Sequence, residues 1–208
     1  MKNLMILSLL NIFIQCQSQK INKSMIPIVD NRFEKFDIYT FNKLLSTDNS
    51  FAISQINNDV TEQLQKQSYG FIDRIFYTKS YFIYVKKYSS NYSIKEKGLL
   101  FNQGSQIGIW YYFDESGKLI KEENTDEGYD FTPEDVVKYC ESHKIKLPKG
   151  YQDSGYKTSV YKKEIDGKKV WQISYVIAVG KEEFIEEIIL DGKTGKLIKK
   201  KQVSYINN

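Results

Sequence analysis

Between residues 51 and 124 apolar side chains return at every second position in short runs. Phe51 and Ile53 alternate. Phe71, Ile75 and Tyr77 follow with Asp73 between them. Tyr81, Ile83 and Val85 form a third set, backed by Phe82, Tyr84 and Tyr88 on the other face, and a further run covers 92–101. A period of two marks a strand, and polar or glycine-bearing turns separate the runs. Five to seven strands with no long helix between them predict antiparallel neighbours, a β-meander. Lysines 86, 87, 95 and 97 lie among these strands, where they are expected to keep the sheet soluble and to discourage edge pairing.

The run 107–125, I-G-I-W-Y-Y-F-D-E-S-G-K-L-I-K-E-E-N-T, reads as a complete hairpin, and the chain repeats it at E-E-I-I-L-D-G-K-T-G-K-L-I-K-K-K. In both, an apolar run ends at an aspartate (Asp114, Asp191) and a glycine follows (Gly117, Gly195) before G-K-L-I-K. Glycine takes the positive φ that a tight turn needs, and the aspartate can accept from the turn's own amides.

At Asp130 the period changes. Thr132-Pro133-Glu134-Asp135 is a helix start, with threonine as N-cap, proline at the first position and acids in the first turn. The helix is expected to run to about Lys144, since Pro148 and Gly150 follow. Its inward stripe is Val136, Val137 and Cys140, with His143 a candidate for the same face. Strands follow at about 157–165, 168–179 and 182–190, and a fourth after Gly195. Trp171, Ile173, Tyr175, Ile177 and Val179 share one face of the second, on which the helix is expected to lie. Nearer the N-terminus, Phe33, Phe36, Phe41, Leu44 and Leu45 suggest a short helix near 35–45 capped by Asp37.

The expected fold class is α+β. An antiparallel β-meander with a short N-terminal helix occupies 31–128, and a helix plus four-stranded antiparallel sheet occupies 129–208. Residues 19–30, polar at first and carrying Pro27, read as a tether. Residues 1–18 read as an export signal: Lys2 precedes an apolar stretch, Leu4 to Ile14, that is too short to span a bilayer of about 30 Å. Cleavage after Ser18 would leave a soluble protein beginning at Gln19, whereas a lipid on Cys16 would leave it anchored in a membrane. In either case Cys140 is the one cysteine left, and no intrachain disulfide can form.

Composition supports a sheet-rich globular chain, with 41% hydrophobic, 27% charged and 14% aromatic residues, including 16 tyrosines and 12 phenylalanines. A net charge of +4 from 30 basic and 26 acidic residues is too balanced to argue for nucleic acid. The charges are segregated, however. Residues 114–135 hold nine acids and two lysines, whereas 193–201 hold five lysines and no acid.

Two family resemblances add to this reading. G-I-W-Y-Y-F-D-E-S-G-K-L-I-K-E, within about 97–125, resembles one repeat of the YwqK-type antitoxin family, whose repeats form strand pairs in a MORN-like sheet. The C-terminal unit, about 130–203, with its helix from Thr132 and then V-W-Q-I-S-Y-V and I-I-L-D-G-K-T-G-K-L-I, is similar to a PepSY-like domain. That resemblance implies a secreted or membrane-attached, non-catalytic module that binds or inhibits other proteins. The arrangement as a whole resembles small exported proteins of the Bacteroidota. Neither family supplies catalytic residues.

Chemistry-bearing motifs are few. Gly192-Lys193-Thr194 lacks the glycine a phosphate loop needs five positions earlier, where Glu187 stands, and a strand is expected to follow it. Asp191 and Thr194 alone are too few oxygen ligands for calcium. His143 is the only histidine. Cys140, three residues before it, shares its helix face, so a Cys–His dyad is conceivable beside the plainer reading of both as core. Zinc lacks a second histidine or cysteine in the mature chain.

No metal or cofactor is expected, and the expected function is non-catalytic binding of another protein. Its sharpest form is an immunity or inhibitor protein that occludes a basic toxin or enzyme. The expected docking residues are Tyr111, Tyr112, Asp126, Glu127, Tyr129 and Asp130, with the acidic segment meeting a basic surface. The alternatives are a solvated acidic face with no partner, a structural envelope lipoprotein anchored through Cys16, and a hydrolase whose paired carboxylates are brought together only by folding. The lysine run could instead touch anionic lipid.

Overall fold

The computed structural model describes residues 26–45, 50–102, 104–154 and 158–204. The expected export signal with Cys16, and residues 19–25 of the expected tether, lie outside them. Helix α1 (Ile38–Leu44) precedes strands β1 (Phe51–Asn57), β2 (Val60–Gln67), β3 (Gly70–Tyr77), β4 (Phe82–Ser89), β5 (Ile94–Phe101), β6 (Ser105–Phe113) and β7 (Leu119–Asn124). These strands form one seven-stranded sheet in chain order, antiparallel at every step, which is the meander the alternation predicts. Helix α2 (Pro133–Ser142) then leads into β8 (Thr158–Ile165), β9 (Lys168–Val179), β10 (Glu182–Asp191) and β11 (Leu197–Ser204), a second antiparallel sheet in the order β11-β10-β9-β8. The class is α+β.

Local chemistry sets the boundaries. Asp37 Oδ1 accepts from the Thr40 amide at 3.0 Å and starts α1. Thr132 and Asp135 exchange hydrogen bonds as a capping box, each at 3.2 Å, and start α2. In the two repeated hairpins Asp114 Oδ1 accepts from the Ser116 and Lys118 amides at 2.9 and 3.0 Å, and Asp191 Oδ1 from Lys193 and Thr194 at 3.0 and 2.8 Å. Gly117 (φ +90°) and Gly195 (φ +69°) take the left-handed conformation, and each lies against an aromatic ring, Phe33 and Phe131 respectively. The two turns therefore share side-chain chemistry and the way they are covered.

Strand register gives the large sheet two inward surfaces. One carries Phe82, Leu99, Phe101 and Ile107 at one end, and Phe71, Tyr88, Ile94 and Phe113 at the other. The opposite face holds a smaller cluster of Ile72, Phe76, Ile83, Val85 and Trp110. The Trp110 indole lies over Gly98, where a Cβ would stand 2.3 Å from the ring.

The second sheet packs Val160, Trp171, Ile173, Ile188 and Leu190 against Val136, Val137 and Cys140 of α2, as the stripe pattern predicts. His143 departs from that expectation: it caps the helix C-terminus, is exposed, and stacks on Tyr139 with ring centroids 3.9 Å apart. Burial also fades along β9, to half-buried Tyr175 and Ile177 and an exposed Val179. The reason is length, because twelve extended residues span about 40 Å and ten helical ones only about 15 Å.

The two sheets share a core. Phe82, Leu99, Phe101 and Ile107 of the meander belong to the same buried cluster as α2, Trp171 and Ile173. Phe101 meets Trp171 edge to face at 6.0 Å. At the seam a Cβ on Gly104 would stand 1.7 Å from the Val160 carbonyl oxygen, so only glycine permits this approach of the two backbones. The change of sheet near residue 129 is thus not a gap in packing.

Candidate functional site

One cross-strand row runs over the inward face of the meander: Leu64 opposite Asp73, Asp73 opposite Lys86, Lys86 opposite Lys97, and Lys97 opposite Tyr111. Its charged members separate the two apolar clusters of that face. Lys97 is 1% exposed and Asp73 5%. The expectation that Lys86 and Lys97 solubilise the surface is therefore corrected, while Lys95 is exposed as expected and Lys87 pairs with Glu96 at 2.5 Å. A period of two places a residue on a face, but it does not say which face another segment will cover.

That segment is 29–36, part of it within the expected tether. Lys97 Nζ donates to Asp30 Oδ1 at 2.9 Å, to the Arg32 carbonyl at 2.7 Å and to Glu34 Oε1 at 2.9 Å, which uses all three of its N–H groups. Lys86 Nζ donates to Glu34 Oε2 at 2.8 Å. Val29 packs against the shared core, and Phe36 stacks on Phe71 with centroids 4.4 Å apart. Of the expected tether, Val29 and Asp30 are held in this way, whereas Ile28 is exposed. Hydrogen bonds from Lys97 and then Arg32 hold the Asp30 carboxyl well below the usual range. Burial alone would raise Glu34, but hydrogen bonds from Lys86 and Lys97 outweigh it and leave its pKa lowered.

Asp73 is treated differently. Its Oδ2 lies 3.8 Å from Lys86 Nζ, and its Oδ1 is buried with no hydrogen-bond partner among the described residues. Burial first, and repulsion from Glu62 second, push its carboxyl up to about 7. Glu62 is half-buried and also shifted upward, chiefly by burial. Both acids line a 230 Å³ cavity beside the start of α1, together with Glu34, Leu64, Lys86 and Tyr88. The sequence signal was present: Asp73 interrupts an inward-facing alternation of Phe71 and Ile75.

The sequence-predicted docking residues do not converge on one patch. Tyr111 is half-buried on the face that carries the charged row. Tyr112 points to the opposite face, where its hydroxyl donates to Glu123 Oε2 at 2.8 Å. Asp126 forms an internal ion pair with Lys162 and accepts from the Gly108 amide at 2.9 Å. Tyr129 packs edge to face on Trp171 at 5.3 Å and donates to the Lys163 carbonyl at 3.0 Å. Tyr111, Tyr112 and Tyr129, expected to be exposed, are all only partly so, because Tyr111 and Tyr112 pack on the faces of the meander and Tyr129 packs on Trp171 of the second sheet. Glu127 and Asp130 alone among the six are exposed. Cys16 lies outside the described residues. In the lysine run, Lys200 and Lys201 pair with Glu186 and Glu187 of β10 at 2.8 and 2.7 Å.

The conceivable dyad is not assembled. Cys140 is fully buried and burial pushes its thiol up to about 12, whereas His143 is exposed and its Nδ1 lies 2.8 Å from the Tyr139 carbonyl. A thiol so shifted supplies almost no thiolate near neutral pH. Gly192-Lys193-Thr194 forms the β10–β11 turn. Among the described residues no three His, Cys, Asp or Glu side chains come together as a metal site, and no helix is long and apolar enough to cross a membrane.

The four sheet edges differ in chemistry. β7 carries Lys121, Glu122 and Glu123; β8 carries Lys162, Lys163 and Glu164; β11 carries Lys199, Lys200 and Lys201. Charge of this kind is how edge strands avoid unwanted pairing. β1, F-A-I-S-Q-I-N, has no charged residue and no proline, pairs among the described residues only with β2, and exposes Phe51, Ile53 and Ile56.

Set against protein-family models, curated proteins and solved structures, the chain finds no match. The PepSY-like and YwqK-type resemblances rest on the motif residues themselves.

Proposed function

We propose that this chain is an exported, non-catalytic protein-binding module with a PepSY-like C-terminal unit, and that it acts as an immunity or inhibitor protein. The observation that carries the reading is β1, an uncharged edge strand with three large apolar side chains exposed, in a protein whose other three edges are charged. An edge of this kind accepts an extended segment of a partner by strand addition. Main-chain hydrogen bonds then supply affinity, and alternate side chains supply selectivity. The exposed acids Glu127 and Asp130 favour a basic partner.

The test compares tagged protein beginning at Gln19 with the same protein carrying Ile53→Lys, each used to capture partners from extracts of the native organism. One stoichiometric partner held by the first and lost by the second supports strand addition at β1. A partner held equally by both removes β1 from the proposal. Concentration-dependent dimerisation of the purified protein, abolished by Ile53→Lys, would reassign the edge to a second copy of the chain.

A further inference from the structure

We propose that the cavity beside the start of α1 binds a small organic ammonium ion, with Asp73 and Glu62 as its anionic receptors. This inference is independent of strand addition at β1. Asp30 and Glu34 between them engage Lys97, Glu34 also engages Lys86, and Arg32 adds a second cation to Asp30 at 2.5 Å. Asp73 and Glu62 are left with little. Asp73 has Lys86 at 3.8 Å and an oxygen without a hydrogen bond, and the Glu62 carboxylate has no hydrogen bond or ion pair among the described residues. A buried carboxylate oxygen with no donor costs stability comparable to a lost hydrogen bond, so a donor bound there is favoured by the protein itself.

Competing ligand classes fit less well. An anion would meet the Asp73 and Glu62 carboxyl groups, and the cavity's Lys86 is already bonded to Glu34. A divalent metal needs more oxygen ligands than two side chains offer, and among the described residues no three His, Cys, Asp or Glu side chains are placed to hold one. A primary ammonium carries one charge and three N–H donors, which two carboxylates can share. The cavity also exceeds what a bare ammonium fills. Its 230 Å³ corresponds to about eight water volumes of roughly 30 Å³, and Leu64 and Tyr88 line it, so a short carbon chain has apolar contacts beside the charged head. The Tyr88 ring can add cation–π attraction. Exposed Asp37 also lines the cavity, which therefore opens to solvent.

The experiment is a titration of ¹⁵N-labelled protein with n-butylammonium, benzylammonium and 1,4-diaminobutane chlorides, each matched by sodium chloride at equal ionic strength, with n-butanol as the uncharged control. The expected result is saturable shifts confined to amides around Glu62, Asp73 and Lys86 with at least one amine, absent with sodium and n-butanol. Asp73→Asn and Glu62→Gln should each weaken that binding roughly tenfold or more, the loss of one charge-assisted hydrogen bond. The proposal is overturned by no saturable shift with any of the three amines, by equal shifts with n-butanol or sodium, or by unchanged affinity in both variants. The n-butanol and sodium comparisons use the unaltered protein, so they can overturn the proposal even where a variant fails to fold.

Discussion

Lys97 Nζ on β5 and Glu34 Oε1 in the N-terminal segment lie 2.9 Å apart across 63 residues of chain, with the lysine side chain 1% exposed. A strand lysine is thereby converted from a surface charge into the anchor of a long-range contact. The cost of taking this ammonium from water is offset only because all three of its donors find acceptors.

Removing the acceptors should accordingly hurt more than removing the lysine. Asp30→Asn combined with Glu34→Gln leaves a buried, unpaired charge and is expected to destabilise by roughly 3–5 kcal/mol. Lys97→Met removes the charge itself and leaves partly exposed acids that water can solvate, so its cost should be clearly smaller. Denaturant unfolding of both variants checks the order, and the reverse order would show that Lys97 is held by packing alone.

Asp73 gives the stability an unusual pH slope. Its pKa rises from 3.8 to about 7 on folding, so the folded state binds the proton more tightly. The stabilisation this brings is full below pH 4 and is lost as pH rises through about 7, whereas the lowered carboxyls of Asp30 and Glu34 contribute above their ordinary range and lose it on acidification. Asp73→Asn should therefore match the unaltered protein near pH 4 and exceed it at pH 8, by on the order of a few kcal/mol. Unfolding followed across that range would reject this if the two curves stayed parallel.

The shared core predicts a single unfolding transition. Trp110 reports on the meander and Trp171 on the second sheet, where it touches Phe101. Trp110→Phe and Trp171→Phe variants, each retaining one fluorophore, should show that fluorophore's emission change coinciding with loss of far-UV circular dichroism. Two separated midpoints within either variant would mean that the seam at Gly104 is too weak to couple the sheets.

Within the acidic segment, charge reversal should have two different outcomes. Asp126→Lys breaks the ion pair with Lys162 and the bond from the Gly108 amide, and should lower the melting temperature by several degrees. Glu127→Lys with Asp130→Lys, at exposed positions, should leave it nearly unchanged. Thermal scans of the two variants separate these cases, and only the second is suited to testing whether the segment docks a basic partner.

Much of the architecture was legible because it is local. Hairpins built on Asp114 and Asp191, the Asp37 and Thr132 caps, and the alternation around Trp171 each depend on residues within a few positions of one another. What could not be read was set by distance. Lys97 looks like any strand lysine until Asp30, 67 residues earlier, is laid beside it, and Tyr111 and Tyr112 look like one exposed pair until the pleat sends them to opposite faces. The candidate cavity needed the same long-range step, since Glu62 and Asp73 are brought together on one face by the β2–β3 register and enclosed with Glu34 beside α1.

The segment 29–36 leaves the ribosome before any strand of the sheet it crosses. Each strand of the meander can pair with its predecessor as it emerges, but Val29, Asp30 and Glu34 have nothing to dock on until β4 and β5 exist. Residues 29–34 thus find their place only once β5 has emerged, and until then the sheet face that carries Asp73 and Lys86 stays open to water. A nascent chain halted before β5 would carry an open, charged sheet face in place of a sealed one.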